Sequence, residues 1–450
     1  MRNGERRRSS IFTGLLLIVL GVIFLIDRLD PAFRLGHVIG TYWPVLIILW
    51  GIAKLVEHFA FPHTPGSRAP LLSGGEAAVL ILLALVLSGF AFRDWVHSHY
   101  PDFDVELPPF HQSYTQEQQL PPQAIPEGAH VVVETQRGNL SIHAAADNLL
   151  RVHATESAWA PTKPSADEQL RNLHVVIEQE GNTYRLRPTP SSDGHIGVDL
   201  DVAVPATASV EADTRHGNIE TSGIMGTVVA RSGSGNIDLQ DAGSDVAVHL
   251  EKGDAKIAQI AGNVELTGRG DNVDLSNVSG DVTVEGAFVG TVRASNVAKT
   301  IRWVSPWADL TIAQLSGHLE ADSGGVEISG ARGAAKLITH NKDINVTNVA
   351  GRIEIINTHG DVKVSYLTPP HDDLNVSNDS GDAEVTLPSS SSFRVSAISK
   401  SGEVKSDFDS PLLNTSNEDD RGQITGQIGT AGPMITIVTS YGTIELNKAG

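Results

Sequence analysis

From about residue 128 onward, apolar and polar residues alternate in short runs, and a glycine followed by Asn or Asp opens many of the runs. Examples are Gly217-Asn218-Ile219-Glu220, Gly235-Asn236-Ile237-Asp238-Leu239, Gly262-Asn263-Val264-Glu265-Leu266 and Gly280-Asp281-Val282-Thr283-Val284. A period of two sends apolar side chains to one face and polar ones to the other, which predicts half-buried strands. Glycine beside Asn or Asp accommodates positive φ at little cost, so each repeat reads as a tight corner and a strand. The glycines Gly217, Gly226, Gly235, Gly243, Gly253, Gly262, Gly270, Gly280 and Gly290 keep a nearly even beat, one strand and one corner per step. The same pattern returns at Gly351-Arg352-Ile353, Gly360-Asp361-Val362, Gly381-Asp382-Ala383, Gly402-Glu403-Val404 and Gly442-Thr443-Ile444.

Two architectures absorb this pattern: an antiparallel meander folded into a sandwich, or a parallel solenoid of stacked coils. Residues 213–300 contain a single aromatic, Phe288, and their inward positions are Val, Ile, Leu and Ala. Such a core fits a narrow column filled by ladders of like side chains. The expected fold class is therefore an all-β repeat, a parallel β-solenoid or β-helix, preceded by an α-helical transmembrane segment. The equal steps from Gly217 to Gly235 to Gly253 suggest two strands per coil, while a longer coil of three strands fits as well. At ~4.8 Å per coil, roughly 12–18 coils make a rod of about 60–85 Å. Each buried Val, Ile or Leu contributes roughly 1.5–3 kcal/mol, so stability accumulates along the rod.

The segment before residue 93 follows another rule. Ile11–Ile26, Leu35–Ala53 and Ala77–Phe92 contain no Asp, Glu, Lys or Arg, and each is long enough to cross a bilayer once Arg28, Lys54 and Arg93 snorkel. A buried core helix is the weaker reading of three such runs in succession. A cleavable leader fits poorly, because Asp27-Arg28-Leu29-Asp30 stands where small residues should mark a cleavage site. With the amino terminus in the cytoplasm, inner flanks carry Arg2, Arg6, Arg7, Arg8, Lys54 and Arg68, and outer flanks carry only Arg28, Arg34 and Arg93. Three crossings then place the remainder outside, as a multi-pass protein of the cell membrane. His97–Glu127 has six prolines and no Lys or Arg, so it reads as an extended extracytoplasmic linker. The expected organisation is a three-helix membrane region over 1–96, a Pro-rich linker over 97–127 and a β-solenoid over 128–450.

Both ends of this plan resemble known families. Gly14-Leu15-Leu16-Leu17-Ile18-Val19-Leu20-Gly21, ending at Asp27, with Tyr42-Trp43-Pro44-Val45 opening the second apolar run, resembles the LiaI/LiaF-type transmembrane region of bacterial envelope-stress proteins over about residues 9–58. Gly138-Asn139-Leu140-Ser141-Ile142, then Val198-Asp199-Leu200-Asp201-Val202-Ala203-Val204-Pro205 leading into the serial Gly-Asn steps, resembles the putative-adhesin family of β-strand-repeat proteins over most of 128–450. The second resemblance implies the fold and a domain of unknown function. The sequence departs from that family at Trp303–Trp307 and at Ser410–Pro433, a polar insertion read as a flexible loop.

Charge and chemistry narrow the function. Lys+Arg is 33 against Asp+Glu 53, a net −20, which argues against a nucleic-acid partner. Cations outnumber acids before residue 74 and acids outnumber cations beyond it, so the distal region carries the whole of the acidic excess. There is no cysteine, hence no disulfide, thiolate site or cysteine nucleophile. No nucleophile elbow, phosphate loop or His-Glu-x-x-His helix occurs, and no cofactor or metal is expected. Three patterns invite chemistry. Asp238, Asp274 and Glu265 are candidates for the acid and base of a β-helix glycosidase, although repeated outward acids are mostly solvated strand faces. His340-Asn341-Lys342-Asp343 with His359-Gly360-Asp361, or His97 with His99, suggest metal ligands but lack a full set. Trp303 and Trp307 suggest a carbohydrate platform, with core packing as the stronger reading. The function expected is contact without catalysis: binding or adhesion to wall polymer, another envelope protein or a second copy. A LiaF-like regulator is the alternative, and a carbohydrate-active enzyme a distant third.

Overall fold

A computed structural model describes residues 112–160, 162–189, 196–418 and 420–449, all within the unit Pro109–Gly450. The three apolar runs, His97, His99 and the first half of the linker lie outside the described residues. Among those described, no helix is long and apolar enough to cross a membrane.

The chain enters with Gln112–Gln119 (β1), Gln123–Ala124 (β2), His130–Arg137 (β3), Leu140–Ala145 (β4) and Leu149–Ala160 (β5). A helix, Lys163–Arg171 (α1), precedes His174–Glu180 (β6), Thr183–Thr189 (β7) and Ile196–Pro205 (β8). Regular coils follow: Ser209–His216 with Ile219–Ser222 (β9, β10), Val228–Ser234 with Ile237–Ala242 (β11, β12), and Val246–Leu250 with Ala255–Ile260 (β13, β14). Next come Val264–Gly270 with Val273–Val278 (β15, β16), Val282–Phe288 with Val292–Val304 (β17, β18), and Ala308–Ala321 (β19). The series continues with Gly325–Ala331 and Ala335–Thr339 (β20, β21), Asp343–Val349 and Ile353–His359 (β22, β23), then Val362–Ser365 and Leu374–Ser380 (β24, β25). It closes with Ala383–Pro388 (β26), Phe393–Ser401 and Val404–Ser406 (β27, β28), Leu413–Glu418 and Arg421–Ile428 (β29, β30), and Met434–Tyr441 and Ile444–Ala449 (β31, β32).

Successive coils stack in parallel register at the step that separates Gly217 from Gly235, with two strands to each coil, which removes the three-strand alternative. On the front ladder Val210, Val228, Val246, Val264 and Val282 are direct neighbours. On the back ladder Leu140, Ile219, Ile237, Ala255, Val273 and Val292 line up in the same way. All are buried, so the core is a column of aliphatic rungs between two ladders.

The corners explain the Gly-Asn signature. Gly217 and Gly235 have φ of 155° and 143°, and a Cβ on either would lie 1.9 or 2.1 Å from the carbonyl oxygen of the glycine one coil below. The adjacent Asn or Asp works through its side chain. The Oδ1 of Asn139, Asn218, Asn236 and Asp254 each accepts the N–H of the equivalent corner residue in the next coil, at 2.8–2.9 Å. At the opposite corner, Asp241, Gln259, Asn277 and Asn296 adopt φ between 54° and 60°, forming an exposed column of left-handed residues without glycine.

The stack departs from a simple spiral in five places. At Ser305-Pro306-Trp307 the chain turns back: β19 runs antiparallel to β18, to β20 and to β21, so one coil is wound in reverse. The predicted loop over 410–433 is instead a hairpin, β29 with β30, whose second strand pairs with β27; the Asn417 side chain fastens it to the Val404 backbone, and Ser410 Oγ donates to Gln427 O within it. Gln112–Gln119, assigned by composition to the linker, is a strand paired with β5 over its full length, because β5 offers a free antiparallel edge. Both terminal coils are tucked inward. β3 and β4 lie between β7 and β8 on one side and β9 and β10 on the other, while β31 and β32 lie between β25 and β26 and β27 and β28.

Candidate functional site

The residues singled out for chemistry do not assemble into a reacting centre. Asp238 and Asp274 face outward on the back ladder with Lys256 in register between them, and Lys256 Nζ lies 3.0 Å from Asp238 Oδ2. Glu265 is on the front ladder beside Ala247 and Thr283. The three carboxylates therefore occupy two faces and form no pair. Among the described residues, no group of three or more His, Asp or Glu converges as a metal site. His340 and His359 stand at separate corners: the His340 N–H donates to Trp307 O, and His359 O accepts from Asn357 Nδ2. Lys342 between them is buried, its ammonium donating to the Asp322 carbonyl, and burial lowers its pKa. The N–H groups of Gly325 and Gly324 hold the Asp322 carboxyl below its ordinary range. Trp303 is inside the core and Trp307 is 43% exposed at the hairpin turn, so they make no shared platform.

What remains is surface, and its two faces differ. The back face is a row of charges: Asp238 with Lys256, Arg293 with Glu320 at 3.0 Å, Lys363 with Glu384 at 3.5 Å and Lys405 with Glu445 at 3.8 Å. The front face starts similarly, with Arg185 paired to Glu134, Arg231 to Glu211, and Arg302 near Glu285 at 3.8 Å. Beyond the reversed coil the front face still carries the ion pair of Lys336 with Glu354 at 3.3 Å, and from β25 onward its character changes. One outward row runs Ile338, Ile356, Ser377, Val438, Ile398, Gln423 and Ser416 across seven neighbouring strands. The row beside it runs Asn375, Thr436, Ser396, Thr425 and Asn414. All these side chains are exposed or half-exposed, and none is charged. Arg394, Lys400 and Asp379 stand at the margins, and the second row is bounded by Glu354 and Lys336, in register before Asn375. The result is an uncharged strip of aliphatic and hydroxyl or amide groups on a protein whose net charge is −20. The sequence pattern does not announce it, because outward positions on strands far apart in the chain become neighbours only through the insertion of β31.

Residues 262–447 match the family model described as Toastrack DUF4097, and residues 11–55 match that of the LiaI-LiaF-like transmembrane region. Residues 262–447 are thus similar to the toastrack family. The parallel coils around the aliphatic column extend through the toastrack residues and on the amino-terminal side back to β3. No curated protein matches the chain. Among solved structures it is similar to a putative cell adhesion protein from Clostridium sporogenes at 10% identity, covering 75% of this chain and 100% of that one with a TM-score of 0.17. It is also similar to putative adhesins from Bacteroides fragilis (10% identity, 75% and 97% covered, TM-score 0.21) and Parabacteroides distasonis (10%, 74% and 97%, TM-score 0.22). At such TM-scores these likenesses say nothing further about this chain.

Proposed function

We propose that this protein is a membrane-anchored component of the bacterial cell envelope that binds through the uncharged strip on the front of its toastrack domain and catalyses nothing. Helices over 11–26, 35–53 and 77–92 cross the bilayer, the amino terminus is cytoplasmic, and the stacked domain lies outside. The observation that carries the binding reading is the change of surface on the front ladder, from ion pairs as far as Lys336 with Glu354 to neighbouring Val, Ile, Thr, Ser and Asn from β25 onward. Aliphatic groups give up water readily, and the adjacent hydroxyls and amides both donate and accept, so the strip suits a neutral, hydroxyl-rich partner such as wall polysaccharide.

The test is co-sedimentation of the detergent-solubilised full chain with purified wall material. The wild-type protein should sediment, and Ile356→Glu combined with Ile398→Glu should weaken binding at least tenfold, about 1.4 kcal/mol, while Asp274→Asn on the back face leaves it unchanged. Wild-type protein that remains in the supernatant, or a double variant that sediments equally well, contradicts the reading.

A regulatory role is the second reading, supported by the match of residues 11–55 to the LiaI-LiaF-like transmembrane region. In that case the membrane helices engage a signalling partner and the domain acts as sensor. Deleting residues 1–92 should then abolish an envelope-stress phenotype.

A further inference from the structure

The amino-terminal end of the stack is closed by an antiparallel cap. β5 is flanked by β1 and β8, and α1 packs across β5 and β1 through the buried Ala166 and Leu170. Every second residue of β5 points inward. Leu150, Val152, Ala154, Ala158 and Ala160 are buried and apolar, and among them stands Glu156, 0% exposed. Neither of its carboxylate oxygens meets a hydrogen-bond donor among the described residues, and the same holds for the buried Oε1 of Gln169 on α1.

An ionised carboxylate can only accept hydrogen bonds, whereas the neutral acid brings one O–H to a region of orphaned acceptors. Burying the charged form without a partner is costly, and the neutral form largely escapes that cost. Among the described residues, nothing nearby offsets the charge. Of the titratable groups on the packed elements, Glu117 of β1, Asp199 and Asp201 of β8, and Lys163, Asp167, Glu168 and Arg171 of α1 are exposed. β2 contributes none. Tyr114 of β1 donates to Gln112, and Arg151 and His153 lie on the outward face of β5 itself.

We propose that Glu156 is a pH-operated latch: as a neutral acid it keeps β1 and α1 docked on β5, and on ionising it lets them go. Released, β1 frees the strand that follows directly on residues 1–111. Burial pushes the Glu156 carboxyl up from 4.5 to about 7. Its folded-state pKa is raised, so the stabilisation is complete below about 4.5, is lost as pH rises towards 7, and changes little above that. The opening equilibrium of the cap should increase roughly 70-fold between about pH 5 and about pH 8.

Hydrogen exchange on the full chain in detergent, corrected for the intrinsic pH dependence of exchange, tests the latch. Residues 112–119 and 163–171 should lose protection by one to two orders of magnitude on going to about pH 8, while residues 246–278 keep theirs. Glu156→Gln, permanently neutral, should hold the cap closed at both pH values. A wild-type cap with the same protection at both pH values overturns the proposal, as does a pH response that survives in Glu156→Gln. Should the glutamine variant not fold, Glu156→Leu gives the same comparison, and the wild-type measurement stands alone as a sufficient refutation.

Discussion

At each glycine corner two side chains divide the work. Glycine lets the backbone pass against the carbonyl of the coil below, and the Asn or Asp after it ties that coil to the next through Oδ1. Gly235→Ala places a Cβ 2.1 Å from Gly217 O at a φ of 143°, so the coils at residues 217 and 235 must separate or shift. The expected loss is about 2–4 kcal/mol, read as a lower denaturation midpoint and as faster hydrogen exchange at the flanking strands. An unchanged midpoint would show that the corner gives way freely. The Gly-Asn corners are legible in the sequence because glycine is conspicuous in an alternating pattern. The opposite corners are not: Asp241, Gln259, Asn277 and Asn296 look like ordinary outward strand residues, and only the backbone reveals their left-handed conformation. Glu156 is hidden for a related reason, since an acid every few residues is normal on strands and its inward phase depends on which face of β5 is covered.

At the scale of elements, alternation and the recurring glycine step foretell parallel coils, and the register of valines from Val210 to Val282 bears this out. The antiparallel exceptions are less visible. Trp303–Trp307 stands out as a break in rhythm, but a break does not say that the chain reverses. Ser410–Pro433 has the polarity of a loop, yet that polarity belongs to an edge hairpin exposed on one side. Pairing between strands distant in sequence leaves no local mark, so the inward tucking of the terminal coils is also out of reach. That tucking predicts a dependence of one end on the other. Removing residues 434–450 takes out the coil between β25 and β26 and β27 and β28, so residues 393–433 should become protease-sensitive while 209–331 remain resistant. Continued protection of 393–433 would mean that β27 can pair directly with β25.

In the whole molecule, residues that match the LiaI-LiaF-like transmembrane region precede a stacked domain that matches the toastrack model, and the role proposed for that domain is contact. The acidic balance disfavours polyanions as partners, and the neutral partner proposed above would meet the uncharged strip. All of this requires the domain to face outward. The chain contains no cysteine, so a single one can report its side of the membrane without background. In intact cells, a membrane-impermeant maleimide should label Ser416→Cys, on the exposed strand β29, and should leave Ser9→Cys unlabelled until the membrane is permeabilised. Labelling of Ser416→Cys only after permeabilisation would put the domain in the cytoplasm and contradict the account.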